Sequence, residues 1–316
     1  MKIVIGIVLI IVQLTPVQTS DDSWLCFKGN TSRNGCACQE CGLNVESLEL
    51  EWSFTTMGAV ESSPVYSNGL VVACSYDQHV YCFNSETGKE VWRFRTGGGI
   101  ESSPCIDGDQ VFVGSYDGYM YCLNLHSGDL IWEFYTTDQI ISSPLSVNEN
   151  LYFGSCDHFV YCISKDDGKR IWHFETMDEV QSSPAYAKES IIIGSSDDSV
   201  YRLDSKTGEL IWRFETEASI TSTPCIHSDT VFIGSWDTYV YCLDFADGNL
   251  QWRYKTDEWI ESSPSISNGR LYIGSADYNL YCINVASGDL MWKTPAEDSK
   301  IVSSPTIVGD YILVGT

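Results

Sequence analysis

The sequence predicts an all-β protein built from repeated four-stranded units. A motif recurs at a fixed step of 40 residues, and each copy contains short strand signals separated by turns. Repeats of about 40 residues occur in both all-β and helical repeat proteins, so the local pattern has to decide between them. One tryptophan marks every copy, at Trp52, Trp92, Trp132, Trp172, Trp212, Trp252 and Trp292.

The local pattern within each copy favours strands. In one copy, a Ser-Ser-Pro segment ending at Pro104 is followed by strand signals over 111–115, 119–123 and 130–134, with Asp, Ser and Gly at the turns. Short runs of β-branched and aromatic residues between such turns indicate strands. They are apolar almost throughout, which is typical of sheets covered on both faces. Since proline cannot donate to a ladder, we predict that the Ser-Ser-Pro strand is the innermost edge of each blade of a β-propeller.

The number of blades follows from the repeated columns. Counting the variants Ser-Thr-Pro, Cys-Ser, Gly-Thr and Tyr-Arg, the Ser-Ser-Pro, Gly-Ser and Trp strands each occur seven times, and the Tyr-Cys strand occurs six times. The first Trp strand, over 48–54, precedes every Ser-Ser-Pro strand, and residues 41–44 lie as far before Trp52 as Tyr81 lies before Trp92. We therefore predict seven blades, with N- and C-terminal strands sharing one blade. The alternative is a repeat that continues beyond residue 316 and adds an eighth blade.

These residues resemble the pyrroloquinoline quinone (PQQ) repeat family, whose blades end in a motif similar to Ala-x-Asp-x-x-Thr-Gly-x-x-x-Trp. One copy here reads Cys-Phe-Asn-Ser-Glu-Thr-Gly-Lys-Glu-Val-Trp over 82–92, and residues 24–30 are similar to the segment that precedes the first blade of the family. The resemblance covers about residues 24–316. This chain departs from the family motif at the position where the family favours alanine, which is occupied here by Cys82, Cys122, Cys162, Arg202, Cys242 and Cys282.

The resemblance implies a structural role for the repeated tryptophans, whose rings dock between neighbouring blades in the family. All seven copies are identical, whereas a ligand site would use only some of them. The family includes quinoprotein dehydrogenases, a propeller lipoprotein of outer-membrane assembly and exported binding modules, so the fold alone does not define the function.

The N-terminal residues predict export. Residues 1–20 contain one lysine, an apolar run and small polar residues, which is typical of a secretory signal peptide; a signal anchor is the alternative. No lipid-attachment box is evident. We predict a Cys-rich arm over 21–47, the propeller over 48–316, and a secreted or otherwise extracytoplasmic location that is not membrane-embedded.

The chain contains 13 cysteines, and four of them lie close together in the arm. In an oxidising compartment such a cluster favours disulfides over zinc, whose usual ligand spacing differs. The pairing cannot be read from the sequence. The disulfide candidates are Cys26, Cys36, Cys38 and Cys41.

The net charge of −25 argues against nucleic acid or anionic lipid as the main partner. The connectors between each Trp strand and the next Ser-Ser-Pro strand differ from copy to copy, although the rest of the repeat is kept. Because binding residues tend to lie on loops of a rigid scaffold, we predict that these connectors form an electronegative binding surface with one aromatic anchor. Drift without function would give similar variation. The predicted binding residues are Glu61, Glu101, Asp257, Glu258, Trp259 and Glu261.

Three classes of function remain. The first is a non-catalytic exported propeller that binds a protein, peptide or glycan. The second is a PQQ-dependent quinoprotein dehydrogenase, which in the family uses adjacent cysteines and calcium ligands carried on insertions; no two cysteines are adjacent here. The third is an outer-membrane assembly scaffold. No catalytic motif is evident, so we predict the first class, with no catalytic residue, no bound metal, no PQQ and no supported role for calcium.

Overall fold

The computed structural model describes residues 2–5, 23–35, 50–296 and 299–315, with backbone alone for 2–5. The described residues form strands and turns without a helix, beginning with β1 (Lys2–Ile5). They fall into two compact units. The first unit spans 10–30 and 46–181, and the second spans 1–9, 31–45 and 182–316.

Three antiparallel four-stranded sheets make up the described part of the first unit, each with its strands in chain order. Blade 1 contains β2 (Val65–Ser67), β3 (Leu70–Ser75), β4 (His79–Asn84) and β5 (Glu90–Arg95). Blade 2 contains β6 (Cys105–Asp107), β7 (Gln110–Gly114), β8 (Tyr119–Asn124) and β9 (Leu130–Tyr135). Blade 3 contains β10 (Leu145–Val147), β11 (Asn150–Gly154), β12 (Phe159–Ser164) and β13 (Arg170–Glu175).

The second unit repeats this plan in three further sheets. Blade 4 contains β14 (Ala185–Ala187), β15 (Ser190–Ser195), β16 (Ser199–Asp204) and β17 (Leu210–Glu215). Blade 5 contains β18 (Cys225–His227), β19 (Thr230–Gly234), β20 (Tyr239–Asp244) and β21 (Leu250–Lys255). Blade 6 contains β22 (Ser265–Ser267), β23 (Arg270–Gly274), β24 (Asn279–Asn284) and β25 (Leu290–Pro295). The predicted four-stranded repeat is therefore confirmed.

A seventh sheet in the second unit joins N- and C-terminal strands, as predicted. It contains β26 (Thr306–Val308), β27 (Tyr311–Val314) and β1, which pairs with β27 in parallel. The strand beside β27 is therefore Lys2–Ile5 and not the predicted 41–44, because an apolar β-branched segment pairs with the open edge.

Residues 36–49 lie outside the described residues, and the predicted signal peptide is untested. Residues 50–54 form no strand, unlike our prediction for 48–54.

Within each unit, the repeated tryptophans dock one blade on the next in the chain. In the first unit, Trp92 Nε1 donates to Leu125 O at 2.7 Å, and Trp132 Nε1 donates to Lys165 O at 2.9 Å. In the second unit, Trp212 Nε1 donates to Phe245 O and Trp252 Nε1 donates to Val285 O, both at 3.0 Å. Each ring thus buries apolar surface away from water, and its single hydrogen-bond donor, the indole N–H, is paired.

Glycine in the turn after the third strand allows the indole ring to approach. At Gly248, φ is +75° and a Cβ atom would lie 2.8 Å from Cδ2 of Trp212. Gly128 in the first unit has φ of +74°, and its Cβ atom would lie 2.7 Å from Cδ2 of Trp92. Only glycine meets both demands, which explains the Gly that precedes each Trp strand.

The cysteine column places a small side chain opposite each tryptophan. Cys122 pairs with Trp132 across β8 and β9, and Cys242 pairs with Trp252 across β20 and β21. Burial raises the pKa of Cys122 to about 12, so its thiol is protonated and unreactive at neutral pH. In blade 4 Arg202 takes this position, and its guanidinium lies 4.2 Å from the ring centroid of Phe245 in the next blade.

Within each unit, the Ser-Ser pair joins the segments that lead into the first strands of consecutive blades. In the first unit, Ser102 Oγ donates to Ser142 O at 3.1 Å, and Ser103 N donates to Ser143 Oγ at 3.0 Å. The second unit repeats the first of these contacts, with Ser182 Oγ donating to Ser222 O at 2.8 Å. These buried serines satisfy one another, so the Ser-Ser-Pro column is structural.

The arm contributes backbone acceptors to the first strands of the blades. In the first unit, Leu25 O accepts from Ile106 N at 2.6 Å. In the second unit, carbonyls of Thr31, Ser32, Asn34 and Gly35 accept from one residue each of β14, β18, β22 and β26. Cys26 is buried, and Cys36, Cys38 and Cys41 lie outside the described residues, so the disulfides remain a prediction.

Gly194→Ala is expected to lower the free energy of unfolding by about 1–3 kcal/mol, the usual cost of overpacking. A Cβ atom at Gly194 would lie 2.3 Å from Cγ2 of the buried Ile220. Urea unfolding of the variant and the parent protein checks this. In the double variant Gly194→Ala with Ile220→Ala, which removes Cγ2, the added cost of the Gly194 substitution should be smaller than in the parent background. A single variant as stable as the parent would contradict the packing described here.

Candidate functional site

The connectors span 55–61, 96–101, 136–141, 176–181, 216–221, 256–261 and 296–302. The first six share a hydrogen-bonded backbone frame, in which a threonine hydroxyl donates to the carbonyl two residues later. In the first unit, Thr96 Oγ1 donates to Gly98 O at 2.7 Å, and Gly97 N donates to Asp117 Oδ2 of the next blade at 2.5 Å. In the second unit, Thr256 Oγ1 and Asp257 N make the equivalent bonds to Glu258 O and Asp277 Oδ2. This frame fixes the backbone from which the variable side chains project.

The repeated aspartates belong to this frame. Asp117 Oδ1 accepts from Tyr119 N at 3.0 Å, and Asp117 Oδ2 accepts from the hydroxyl of Tyr121 at 2.8 Å. The same tyrosine contact recurs at Asp237, which accepts from Tyr241 at 2.6 Å. The carboxylates are thus occupied by their own turn and by the connector, which agrees with our structural interpretation of this column.

In each Ser-x-Asp turn, the residue between the repeated serine and aspartate differs from copy to copy. Our sequence analysis overlooked it, although its variation among otherwise identical neighbours was a visible signal. The residues at this position, which we call the turn position, are Tyr76, Tyr116, Cys156, Ser196, Trp236 and Ala276.

In the first unit, the turn position brings the predicted Glu61 and Glu101 into one cluster. The hydroxyl of Tyr76 lies 2.6 Å from Glu101 Oε2 and 3.3 Å from Glu61 Oε2. Tyr116 also donates to Glu101 Oε2, and the rings of Tyr76 and Tyr116 meet edge to face with centroids 5.5 Å apart. Glu61 is exposed and the other three side chains are half-buried. We call this group the tyrosine–glutamate cluster.

Tyrosine ionisation is expected to destabilise the protein in alkaline solution. Burial, and then the hydrogen bond to Glu101, raises the pKa of Tyr116 to about 12, and burial with the hydrogen bond to Asp77 raises that of Tyr81 to about 12. A pKa above the ordinary value of about 10 favours the folded state below pH 10, and this stabilisation is lost as the pH rises towards 12. Urea midpoints measured between pH 9 and 11.5 should therefore fall. A Tyr116→Phe variant should show a shallower fall, and equal slopes would contradict this assignment.

In the second unit, the turn position places Trp236 beside the predicted Trp259. Their ring centroids are 5.3 Å apart with an interplanar angle of 37°. Trp236 is 44% exposed, and its Nε1 donates to Thr221 Oγ1 at 3.0 Å. Trp259 is half-buried, with its carbonyl accepting from Ala276 N at 3.0 Å. We call Trp236 and Trp259 the tryptophan pair.

The other predicted binding residues of the second unit are close to Trp259 in sequence. Asp257 and Glu258 are exposed, and Glu261 is half-buried. Asp257 is also paired with Lys293, whose Nζ lies 3.2 Å from Asp257 Oδ2. Lys300 Nζ lies 5.0 Å from the ring centroid of Trp259. The predicted anchor therefore has an aromatic neighbour and a cationic neighbour that the sequence analysis missed.

Blade 3 has different side chains at its turn position and in the connector that follows it. Cys156 is buried, and burial with the nearby Glu179 raises its pKa to about 12, so a reactive thiolate is disfavoured at neutral pH. Gln181 Nε2 donates to Glu179 Oε2 at 2.6 Å. Among the described residues, no group of three or more His, Cys, Asp or Glu is arranged to hold a metal ion. A search of the described residues likewise found no helix able to cross a membrane.

Two family models match the chain in overlapping parts. The model of the β-propeller of the beta-alanine-activating enzyme matches residues 82–237, and that of the outer membrane protein assembly factor BamB matches residues 196–316. No curated protein sequence matches the chain.

Solved structures with the same fold cover most of the chain. BamB from Moraxella catarrhalis has a TM-score of 0.74 and 16% identity, covering 84% of this chain and 85% of that chain. The computationally designed Ika8 protein has a TM-score of 0.72 and 15% identity, with 83% and 91% covered. These matches establish a β-propeller fold. The two family models support the resemblance to PQQ-like β-propeller repeats that the sequence indicated.

Proposed function

We propose that this chain is an exported, non-catalytic β-propeller that binds a protein, peptide or glycan through its connectors and turn positions. One observation carries the proposal: the connector backbone is held by hydrogen bonds that recur from blade to blade, and the side chains it presents do not recur. The tyrosine–glutamate cluster and the tryptophan pair both arise at such positions. Varied side chains on a fixed frame are typical of binding surfaces.

The tryptophan pair provides the anchor in this proposal. Exposed tryptophans are enriched among residues that dominate binding energy, because they bury a large area at low entropic cost. Glu61, Glu101, Asp257, Glu258 and Glu261 add negative charge in the two units, and charge alone gives a weak, salt-sensitive attraction. Affinity therefore depends on the aromatic anchor, and the carboxylates contribute to the rate of association.

Capture by tagged variants tests the proposal. The mature chain is incubated with its native extracytoplasmic fluid, and the bound material is compared between the parent, Trp259→Ala and a matched control, Ile211→Ala. Ile211 is 44% exposed on β17 and lies outside the connectors. We expect Trp259→Ala to weaken capture by more than about 1 kcal/mol, with Ile211→Ala unchanged. Loss of capture in the control alone would contradict the proposal.

The carboxylates have a separate test. The triple variant Glu61→Gln, Glu101→Gln and Glu261→Gln should slow association and reduce its dependence on salt, with little change in melting temperature. Surface plasmon resonance at two salt concentrations measures both effects. If the triple variant and Trp259→Ala bind as well as the parent, the binding surface lies elsewhere on the blades.

An enzymatic role has a direct test as well. We expect the purified protein, refolded with PQQ and calcium, neither to bind the quinone tightly nor to oxidise alcohols or aldose sugars. Equilibrium dialysis and a dye-reduction assay measure the two properties. Saturable quinone binding with quinone-dependent dye reduction would establish a quinoprotein dehydrogenase in place of a binding protein.

An outer-membrane assembly scaffold is the second candidate function. It is favoured by the BamB model over residues 196–316, which include the tryptophan pair, and by the structural similarity to BamB from Moraxella catarrhalis. Mass spectrometry of the captured material separates the two candidates. An outer-membrane assembly protein that depends on Trp259 for capture would support the scaffold, and a soluble ligand with the same dependence would support the more general binding role.

A further inference from the structure

The tryptophan pair already carries a cation from its own chain. Lys300 Nζ lies 5.0 Å from the ring centroid of Trp259, which is within the range of a cation–π contact. Trp236, on the other side of the pair, is 44% exposed. The pair therefore offers one ring face that holds an ammonium group and a second ring that is accessible from solvent.

The connector that carries Lys300 differs from its neighbours in length. The step from Pro264 to Pro305 is one residue longer than the step of 40 that separates the other prolines of this column. The frame of the preceding connector is unchanged, since Ser275 Oγ still donates to Glu258 O at 3.1 Å. The extra residue thus belongs to the segment that brings a lysine over Trp259.

The surrounding charge favours a cation over an anion at this surface. The chain has a net charge of −25, and exposed Glu258 and half-buried Glu261 flank Trp259 in sequence. Asp257 is paired with Lys293, so that carboxylate is already engaged. Aromatic rings elsewhere in the second unit also hold cations, with Arg253 lying 4.4 Å from the ring centroid of Tyr239.

We propose that the tryptophan pair binds a lysine or arginine side chain of a partner polypeptide, and that Lys300 occupies part of this site until the partner binds. The inference rests on the proposed binding function and specifies its ligand as a basic polypeptide segment. The partner's cation lies on the ring faces and the exposed carboxylates stabilise it. Lys300 is then an internal competitor, whose ammonium leaves Trp259 and returns to solvent.

This competition predicts that removing Lys300 strengthens binding by more than the change in net charge does. Removing a surface lysine from an acidic protein makes it more negative, which by itself strengthens binding of any cation. Such a charge effect strengthens the binding of a cation anywhere on the protein and does not alter the surroundings of one particular ring. Displacement of Lys300, in contrast, alters the surroundings of Trp259. The indole N–H signals of the two tryptophans separate these effects because each reports its own ring.

The test uses a defined peptide and the full mature chain. Acetyl-Gly-Arg-Lys-Gly-amide is titrated while the ¹⁵N–¹H indole signals are recorded, with assignments from Trp236→Phe and Trp259→Phe. A peptide with citrulline and norleucine in place of Arg and Lys controls for the charge, and chitotriose represents a glycan. The indoles of buried Trp212 and half-buried Trp252, which both donate to backbone carbonyls, are internal references in the same spectrum.

We expect the basic peptide to shift the signals of Trp236 and Trp259 in a saturable way, with the reference indoles and both control ligands giving no comparable shift. Lys300→Ala should tighten this binding by about two- to fivefold, the size of an exposed cation–π contact. A charge control, Lys255→Ala on β21, should tighten it less than Lys300→Ala does.

Two results would overturn the inference. In one, chitotriose or the neutral peptide shifts the pair as strongly as the basic peptide does. In the other, Lys300→Ala has no greater effect than Lys255→Ala. If capture still depends on Trp259, either result leaves the proposed binding function intact. The proposed function itself fails only if capture is also independent of Trp259.

Discussion

Deleting residues 37–54 is expected to destabilise the whole protein and to broaden its thermal unfolding transition. Trp52 lies in this segment and makes the same contact with blade 1 that later tryptophans make with their neighbours. Its Nε1 donates to Ser85 O at 2.9 Å, and its ring centroid lies 5.8 Å from that of Phe83. Phe54 adds contacts to Phe83 and Tyr81, with centroids 4.8 and 5.3 Å away.

The loss should exceed that of a single aromatic side chain, which is about 3–5 kcal/mol. The deletion removes the contacts that Trp52 and Phe54 make with blade 1. In a repeat protein the stability of each unit depends on its neighbours, so the effect spreads from one blade to the next.

A second deletion provides the control. Residues 2–20 contain β1, which pairs with β27. Removing residues 1–20, which we interpret as a signal peptide, takes away the edge strand β1 and no docking tryptophan, so its cost should be smaller than that of the 37–54 deletion. Calorimetry of the two deletions distinguishes the possibilities. A stable 37–54 deletion together with an unstable 2–20 deletion would show that β1 completes the seventh sheet and would contradict our interpretation of both segments.

Trp212→Ala is expected to lower the free energy of unfolding by about 3–5 kcal/mol, the usual cost of emptying a buried aromatic site. Trp212 is 7% exposed, and its indole packs against Gly248 while donating to Phe245 O at 3.0 Å. The substitution leaves a cavity between blades 4 and 5, which destabilises the protein. Phe245 O keeps the hydrogen bond that Arg202 Nη1 donates at 2.7 Å, so the cost comes from the lost packing. Chemical denaturation followed by tyrosine fluorescence measures the loss.

Trp259→Ala is the matched control in the same unit. Trp259 is half-buried on a connector and lies outside the tryptophan column, so its loss should cost less than about 1 kcal/mol. Similar losses for the two variants would contradict the separation between docking tryptophans and binding tryptophans. A Trp212→Phe variant should recover part of the lost stability, because it restores apolar volume without the indole donor.

Much of the fold could be predicted because each structural demand recurs in every blade. A tryptophan that docks on the next blade requires a glycine under its ring and a small residue across the strand, as at Trp132, Gly168 and Cys122. Such demands produce identical columns, and a fixed step of 40 residues makes those columns visible. The exception at Arg202 was also visible, although its stacking on Phe245 was not.

The closing blade was harder to predict because its strands are not copies. Two segments, Lys2–Ile5 and 41–44, both offer residues for the edge of β27, and the repeat supports only the second. The backbone contacts of the arm were equally hidden from the sequence. Carbonyl groups such as those of Thr31 and Asn34 carry no side-chain signal, so their pairing with β14 and β22 has no pattern in the sequence.

The candidate site was predicted in part. Glu61 and Glu101 lie together as connector residues of adjacent blades, and Tyr76 links them from a position 15 residues after Glu61. Trp236 and Trp259 are 23 residues apart and meet only because the Ser-x-Asp turn of blade 5 lies against the next connector. A search restricted to the connectors could therefore find Glu61, Glu101 and Trp259 and miss Tyr76, Tyr116 and Trp236.

Site-specific photocrosslinking tests the central claim that the connectors and turn positions form the binding surface. Benzoylphenylalanine is placed at residue 236 in one variant and at residue 211 in another, since both native side chains are 44% exposed. After irradiation in the native extracytoplasmic fluid, we expect a discrete adduct from residue 236 that a tag-purified competitor chain suppresses, and no such adduct from residue 211. A competable adduct from residue 211 without one from residue 236 would contradict the account.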